Sequence, residues 1–287
     1  MKLLSYRSAG REAFGAVVGD GVVDLSNWRD GVATLRDYIA CGGYRDAADH
    51  VRDRPVDAKL AEIEYLPVIT QPEKIVCAVR NYLDHHNEAI ASGLQRELSD
   101  FPPIFLRVWR SQVGHDQPVV RPRVSDTLDW EGELAVIIGT GGRDIAEADA
   151  WKHIAGYSAY NDVSVREWQF HAKQIASGKN FENTGPFGPW MVTADEIEPG
   201  RRLKLQTRLN GETVQSSDTG HLIFSIPRLI NYASTIFTLS PGDVIVTGTP
   251  SGVGFGRKPP QYMKPGDIVE VEIEAIGVLR NQIVEQA

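Results

Sequence analysis

The sequence predicts an α+β chain that is mostly β, and three observations carry that reading. Asn210-Gly211 stands between two alternating runs in KLQTRLNGETVQ, the strongest short hairpin signal. Two later runs, PGDVIVTGTP and PGDIVEVEIEAIG, each begin at Pro-Gly-Asp. Strands outnumber helices in the second half, without the steady strand–helix alternation that a doubly wound sheet needs.

The elements follow in chain order. AFGAVVGDGVVDL reads as short strands around a Gly-Asp-Gly turn, and ATLRDYIA as a helix. The stretch from about 45 to 70 is polar and ends in the proline-marked connector YLPVITQPEK, which places a soft domain boundary near residue 70. KIVCAV has strand length, and NYLDHHNEAIASGL has helical spacing followed by a glycine. GELAVIIG reads as a buried strand. DIAEADAWKHIAG reads as a helix with an Asp cap and a closing glycine. YSAYNDVS is another strand, and SIPRLINYASTIF a helix with Ser225 as cap and Pro227 in its first turn.

Composition narrows the function classes. The 287 residues are 42% hydrophobic and 24% charged, enough for one large domain or a large and a small one. The two cysteines, Cys41 and Cys77, lack metal-ligand spacing, which argues against a disulfide framework or a zinc site. The formal charge of −8 is scattered, and no basic stripe suits nucleic acid. No apolar run approaches a membrane span and the N-terminus lacks an apolar signal region, so a cytoplasmic location is expected by default.

Five segments carry chemistry. In DWEGEL, Glu131 and Glu133 share one face of a strand by the two-residue period. Two carboxylates on one face repel unless a cation lies between them, and a hard ion suits them: Mg²⁺ or Mn²⁺, with Ca²⁺ as another occupant. Taken alone, such a pair is more often a solvated strand edge. In YNDVSVRE, Asp162 closes an apolar strand and opens a helix, a place for a third carboxylate ligand, although an Asp after Asn is commonly a turn residue. In NYLDHHNE, helical spacing puts His85 and Glu88 one turn apart, so the carboxylate can orient the imidazole as a base. A surface histidine beside a glutamate is the commoner situation, and His86 reads as exposed. Lys179, in the Gly/Pro-rich stretch GKNF, would offer a charge to a substrate oxygen, though most such lysines are solvated. TGTPSGVG suggests a backbone approaching an anionic ligand; it is neither a P-loop nor a nucleophile elbow.

In combination and order these segments resemble the fumarylacetoacetate hydrolase family, from about Lys74 to Asn281. VCAVRNYLDHHNE, PPIFLR, DWEGELAVIIG, YNDVSVRE, GKNF, TGPFGPW, LNGETVQSSDT, LSPGDVIVTGTPSGVG and MKPGDIVEVEIEAIGVLRN carry the resemblance. It implies a mixed β-sandwich or β-roll catalytic, metal-binding domain over 71–287, a small N-terminal α+β domain over 1–70, and a homodimer. It implies Mg²⁺ or Mn²⁺ on Glu131, Glu133 and Asp162, and a mobile lid helix carrying His85 and Glu88. Lys179 matches the family's active-site lysine. Arg80, Tyr82, Arg166, Gln169 and Thr249 match substrate-binding positions. Val79, Arg107 and the stretch after Lys179 depart from the family pattern and bear on the substrate. Asp84, Gln95 and Arg96 fall near the lid without an assigned role.

The implied chemistry is cleavage of a carbon–carbon bond in a small 2,4-dioxo acid, an acylpyruvate or diketo sugar acid, by a metal-dependent hydrolase. The products would be pyruvate or a related 2-oxo acid and a carboxylic acid. His85 would activate water, Lys179 would stabilise the oxyanion, and lid closure would exclude bulk solvent. The same chemistry supports an alternative, an oxaloacetate-type decarboxylase or an isomerase or lyase. A binding protein on an inactive scaffold would have lost a ligand or the dyad, and none is lost.

Overall fold

The alternating runs form strands where the pattern places them. The computed structural model describes residues 1–91, 93 and 98–287; Gln95 and Arg96 lie outside the described residues. Strands Arg11–Val18 and Gly21–Asp24 pair around the Gly19-Asp20 turn. Strands Lys204–Leu209 and Glu212–Asp218 meet at Asn210 (φ 51°) and Gly211 (φ 84°). Two consecutive positive φ values give the turn whose twist matches that of its strands, which explains the Asn-Gly pair. Helix Leu35–Ala40 starts at a capping box of Thr34 and Asp37. In helix Ile226–Ile236 the Ser225 hydroxyl accepts the Arg228 N–H.

One expected helix is absent. Glu147–His153 forms 3₁₀ turns, and the chain then enters strand Ile154–Asn161. Gly156 is therefore a strand residue. A Cβ there would sit 2.3 Å from the Val192 carbonyl oxygen, so the glycine permits close approach of the neighbouring strand.

The largest sheet has twelve strands. Its middle runs Gly185–Thr193, Ile154–Asn161, Gly132–Ile138, Val244–Val246, Ile75–Ala78, and it ends on Ile104–Arg107. The N-terminal strand Lys2–Ser8 joins it by pairing Lys2 with Val192 and Leu3 with Met191. A single core joins Leu3, Phe14 and Tyr38 to Cys77, Ala135, Tyr160 and Met191. The polar connector near residue 70 thus separates stretches of sequence while sheet and core continue across it.

A second sheet of five strands includes Lys204–Leu209, Ile268–Ile273 and Gly277–Glu285. It packs through Leu205, Val271, Ile273 and Leu279 against Leu134, Val136 and Ile138 of the first. Ala135 and Ile137 face the other core. Strand Gly132–Ile138 is therefore covered on both faces, which is why it reads as an unbroken apolar run. Each such fully buried large side chain stabilises the fold by about 1.5–3 kcal/mol as an upper estimate.

This arrangement delivers several segments to one end of the sheet. Strands Gly132–Ile138 and Ile154–Asn161 run antiparallel with Gly132 opposite Asn161, so Glu131 and Asp162 leave the sheet side by side. The Asp162 N–H donates to the Glu131 carbonyl at 2.8 Å. Strands Ile75–Ala78 and Val244–Val246 run parallel and bring Arg80 and Thr249 to the same end.

Candidate active site and metal centre

Glu131, Glu133 and Asp162 each present a carboxylate oxygen, all within 4.8 Å of one another, and all three residues are buried. Three buried carboxylates at that spacing need positive charge. Lys179 Nζ lies 2.7 Å from Glu131 and 2.6 Å from Asp162. Arg166 Nη1 lies 2.6 Å from Glu131, and Arg107 Nη1 donates to Asp162. Gly178 permits this approach, since a Cβ there would sit 2.5 Å from the Gln169 backbone nitrogen. Among the described residues no Lys or Arg pairs with Glu133, which accepts the Gly248 N–H.

The electrostatics follow from this asymmetry. Burial disfavours the charge on Glu131, but Lys179 and then Arg166 outweigh it and hold its carboxyl down to about 2. Burial, then the charges of Asp162 and Glu131, push Glu133 well above the carboxylate range. Burial would lower the Lys179 ammonium, yet Asp162 and Glu131 raise it, so it stays charged. An all-oxygen set with one uncompensated buried acid fits a hard divalent cation, and Glu131, Glu133 and Asp162 would hold it.

Helix Leu83–Ala91 lies over this cluster. His85 Nδ1 is 3.0 Å from Glu88 Oε2, and Glu88 Oε1 accepts the Gly252 N–H at 3.0 Å. A carboxylate on Nδ1 fixes the ring and leaves Nε2 for a substrate. A Cβ on Gly256 would lie 2.6 Å from the Glu88 carboxyl carbon, so only glycine admits that side chain. His86, expected to be exposed, is buried, because His85, His86 and Ala89 all turn inward.

The glycine-rich loop behaves differently from its sequence reading. Gly248 (φ 99°) and Gly252 (φ 100°) adopt the left-handed region that glycine alone enters freely. The N–H groups of Gly248, Gly252 and Gly254 donate to Glu133, Glu88 and Asp129. The anions approached are the protein's own carboxylates.

These groups border a cavity of about 170 Å³. That is small beside the roughly 300–1,000 Å³ typical of drug-sized pockets. His85, Glu88, Glu131, Glu133, Asp162 and Lys179 line it, and so do Arg80, Arg166, Gln169 and Thr249. Arg166 begins the short helix Arg166–Gln169, and its Nη1 reaches Gln169 at 2.9 Å, one turn on. Its Nη2 is buried with no partner among the described residues. Arg80 holds φ 49°, a conformation that costs a non-glycine residue about 1 kcal/mol and recurs at functional sites. The Thr249 hydroxyl is engaged by the Gly132 carbonyl and the Gln215 amide. Tyr82, expected at the substrate, does not line the cavity: its backbone bridges Leu222 and its ring is buried.

Sequence reasoning missed other lining residues. Phe105, Phe170 and Phe255 are apolar walls, and Lys173 is an exposed cation with no ion-pair partner among the described residues. Single aromatics and a lone lysine in loops carry no spacing signal that could have singled them out.

A buried carboxylate triad beside a histidine–glutamate pair in a small cavity defines an enzyme site of the divalent-metal kind. Residues 74–284 match the family described as fumarylacetoacetate (FAA) hydrolase C-terminal, and the chain belongs to the fumarylacetoacetate hydrolase family. It is 40% identical over 274 residues to the human oxaloacetate tautomerase FAHD2A, mitochondrial, covering 93% of this chain and 85% of that protein. It is 42% identical over 226 residues to the oxaloacetate tautomerase YisK of Bacillus subtilis, covering 78% and 74%. Among solved structures, maleylpyruvate hydrolase from Sphingobium sp. SYK-6, in complex with manganese(II) ion and pyruvate, superposes with a TM-score of 0.82. That match covers 100% of both chains at 26% identity.

Proposed function

We propose that this enzyme is a divalent-metal-dependent oxaloacetate tautomerase, which moves a proton between carbon and oxygen of a small 2-oxo dicarboxylic acid. The observation that carries this reading is the similarity, at 40% and 42% identity over most of the chain, to two oxaloacetate tautomerases. It puts first the isomerase alternative that the sequence left behind hydrolysis.

The chain's own residues suit the task. Mg²⁺ or Mn²⁺ on Glu131, Glu133 and Asp162 would supply Lewis-acid polarisation of the substrate's 2-oxo group. His85, oriented by Glu88, takes the proton from the carbon between the two carbonyl groups through Nε2 and hands it to the 2-oxo oxygen to give the enol; in the reverse direction it takes the enol O–H proton and places it on that carbon. The unpartnered Nη2 of Arg166 donates to a substrate oxygen, which ends its isolation in the protein interior. Phe105, Phe170 and Phe255 keep bulk water from the proton in transit. Lys173, with no carboxylate of its own, suits the substrate's second carboxylate.

Hydrolysis of an acylpyruvate is the second reading, favoured by the maleylpyruvate hydrolase likeness and by the intact His85–Glu88 pair. One assay separates the readings. Enol oxaloacetate is added in Mg²⁺, Mn²⁺ or EDTA, and loss of enol absorbance, pyruvate and CO₂ are followed together. Tautomerisation gives enol loss without pyruvate or CO₂, abolished by EDTA and slowed about 10²–10⁴-fold in His85→Ala. CO₂ release in step with enol loss would make the enzyme a decarboxylase. Faster cleavage of an acylpyruvate to pyruvate and a second acid would restore the hydrolase.

A further inference from the structure

Asp129 is a fourth carboxylate beside the triad, fully buried and outside the metal-ligand set. Oδ1 accepts the N–H of Trp130 at 2.8 Å and of Gly254 at 2.7 Å. Oδ2 accepts the N–H of Phe255 at 2.9 Å and Arg166 Nε at 2.8 Å. Apart from the adjacent Trp130 N–H, the donors to Asp129 come from two structures. One is the guanidinium that braces Glu131. The other is the turn Gly254–Gly256, whose last glycine receives the Glu88 side chain and whose neighbour Gly252 donates to Glu88.

We infer that Asp129 is the positioning residue that sets the His85–Glu88 pair relative to the metal ligands. It fixes the turn on which Glu88 rests and the arginine against which Glu131 rests, so the two halves of the site share one carboxylate. The inference rests on the reading of His85 and Glu88 as the proton-transfer pair. Asparagine cannot replace this residue: whichever way its amide is turned, the NH₂ faces two donors, either Trp130 and Gly254 or Phe255 and Arg166.

The test is Asp129→Asn with three readouts: kcat on enol oxaloacetate, Mn²⁺ affinity by calorimetry, and amide hydrogen exchange. The expected kcat falls roughly 10²-fold, the effect of misplacing a catalytic group by about 1 Å. Mn²⁺ affinity stays within a few fold of the parent, and exchange quickens over residues 83–91 and 252–256 while strands 132–138 and 154–161 keep their protection. Gly256→Ala, which crowds Glu88 without touching Arg166, lowers kcat and quickens exchange over the same helix and turn, and the double variant loses less than the product of the two single losses. Mn²⁺ affinity that falls with kcat, loss of protection in the sheet strands, or multiplying effects in the double variant would each overturn the inference. Faster exchange over the helix and turn in an enzyme that acts on no oxo-acid would keep the positioning role and remove the tautomerase reading instead.

Discussion

The carboxylate cluster and the helix above it meet in one cavity yet are held by opposite means. Glu131, Asp162, Lys179, Arg107 and Arg166 are buried side chains on or beside strands, tied to one another by charge-assisted bonds of 2.5–2.7 Å. Helix Leu83–Ala91 has nine residues, exposes Leu83 and Ile90, and reaches the cluster side through the His85–Glu88 pair and the Gly252 N–H. A helix that short has little stability of its own. The difference teaches that the carboxylates are locked in place by buried charge pairs, whereas the histidine–glutamate pair is placed by the seating of one short helix.

The largest effect should come from breaking the rigid half. Glu131→Ala removes a ligand and the shared partner of Lys179 and Arg166. Turnover should fall on the order of 10³-fold or more, with loss of tight Mn²⁺ binding. Lys179 keeps Asp162 and Arg166 keeps Asp129, so the loss of stability in urea unfolding should stay below the roughly 3–5 kcal/mol of a buried pair broken outright. Unchanged Mn²⁺ affinity would show that the triad is not the metal site.

A pH series sharpens the comparison from the unpaired ligand. The Glu133 carboxyl is raised by burial, then by Asp162 and Glu131, so the metal-free fold retains a proton that the unfolded chain releases. That contribution is complete below the ordinary glutamate value of 4.5 and is lost as pH rises towards the folded value. EDTA-treated protein should therefore melt at lower temperature as pH increases above that point. Cation binding displaces the proton, so Mn²⁺ affinity should rise about tenfold per pH unit while Glu133 stays protonated. A flat Mn²⁺ affinity from pH 6 to 8 would mean that Glu133 binds in its charged form throughout.

The smallest effect belongs to the cavity rim. Lys173→Met should raise KM for oxaloacetate about 2–5-fold, the size of an exposed ion pair, and leave kcat unchanged. A monocarboxylic 2-oxo acid should bind both proteins alike. Equal losses for both acids would deny Lys173 a part in reading the second carboxylate.

Much of this site was legible because its residues sit in short, regular spacings. Glu131 and Glu133 follow the strand period, His85 and Glu88 the helix period, and Asp162 closes a recognisable strand. Arg166 and Gln169 came through resemblance, and the helical turn between them explains why they act together. The fold was legible where turn chemistry is local, as at Asn210-Gly211. It was illegible where partners are remote: Lys2 pairs with Val192, and no local signal announces that. Glu147–His153 has helical composition yet winds as 3₁₀ turns before the strand at Ile154, and nothing in its spacing marks the tighter turn. Asp129 stood in plain view at the head of DWEGEL, where no spacing gave it a role. Its four donors come from residues 130, 166, 254 and 255, which only the folded chain brings together.

The loop between Thr247 and Gly254 carries a consequence for how such a chain can change length. It is pinned at Gly248, Gly252 and Gly254 to three acids from two parts of the molecule, Glu88 on the short helix and Glu133 and Asp129 in DWEGEL. Inserting or deleting one residue between any two pins would shift the register of the rest, and at least one carboxylate would lose its donor. Surface turns such as that at Gly19-Asp20 can absorb an insertion. This stretch is a gauge with three fixed marks, and relatives that retain all three acids should retain its spacing as well.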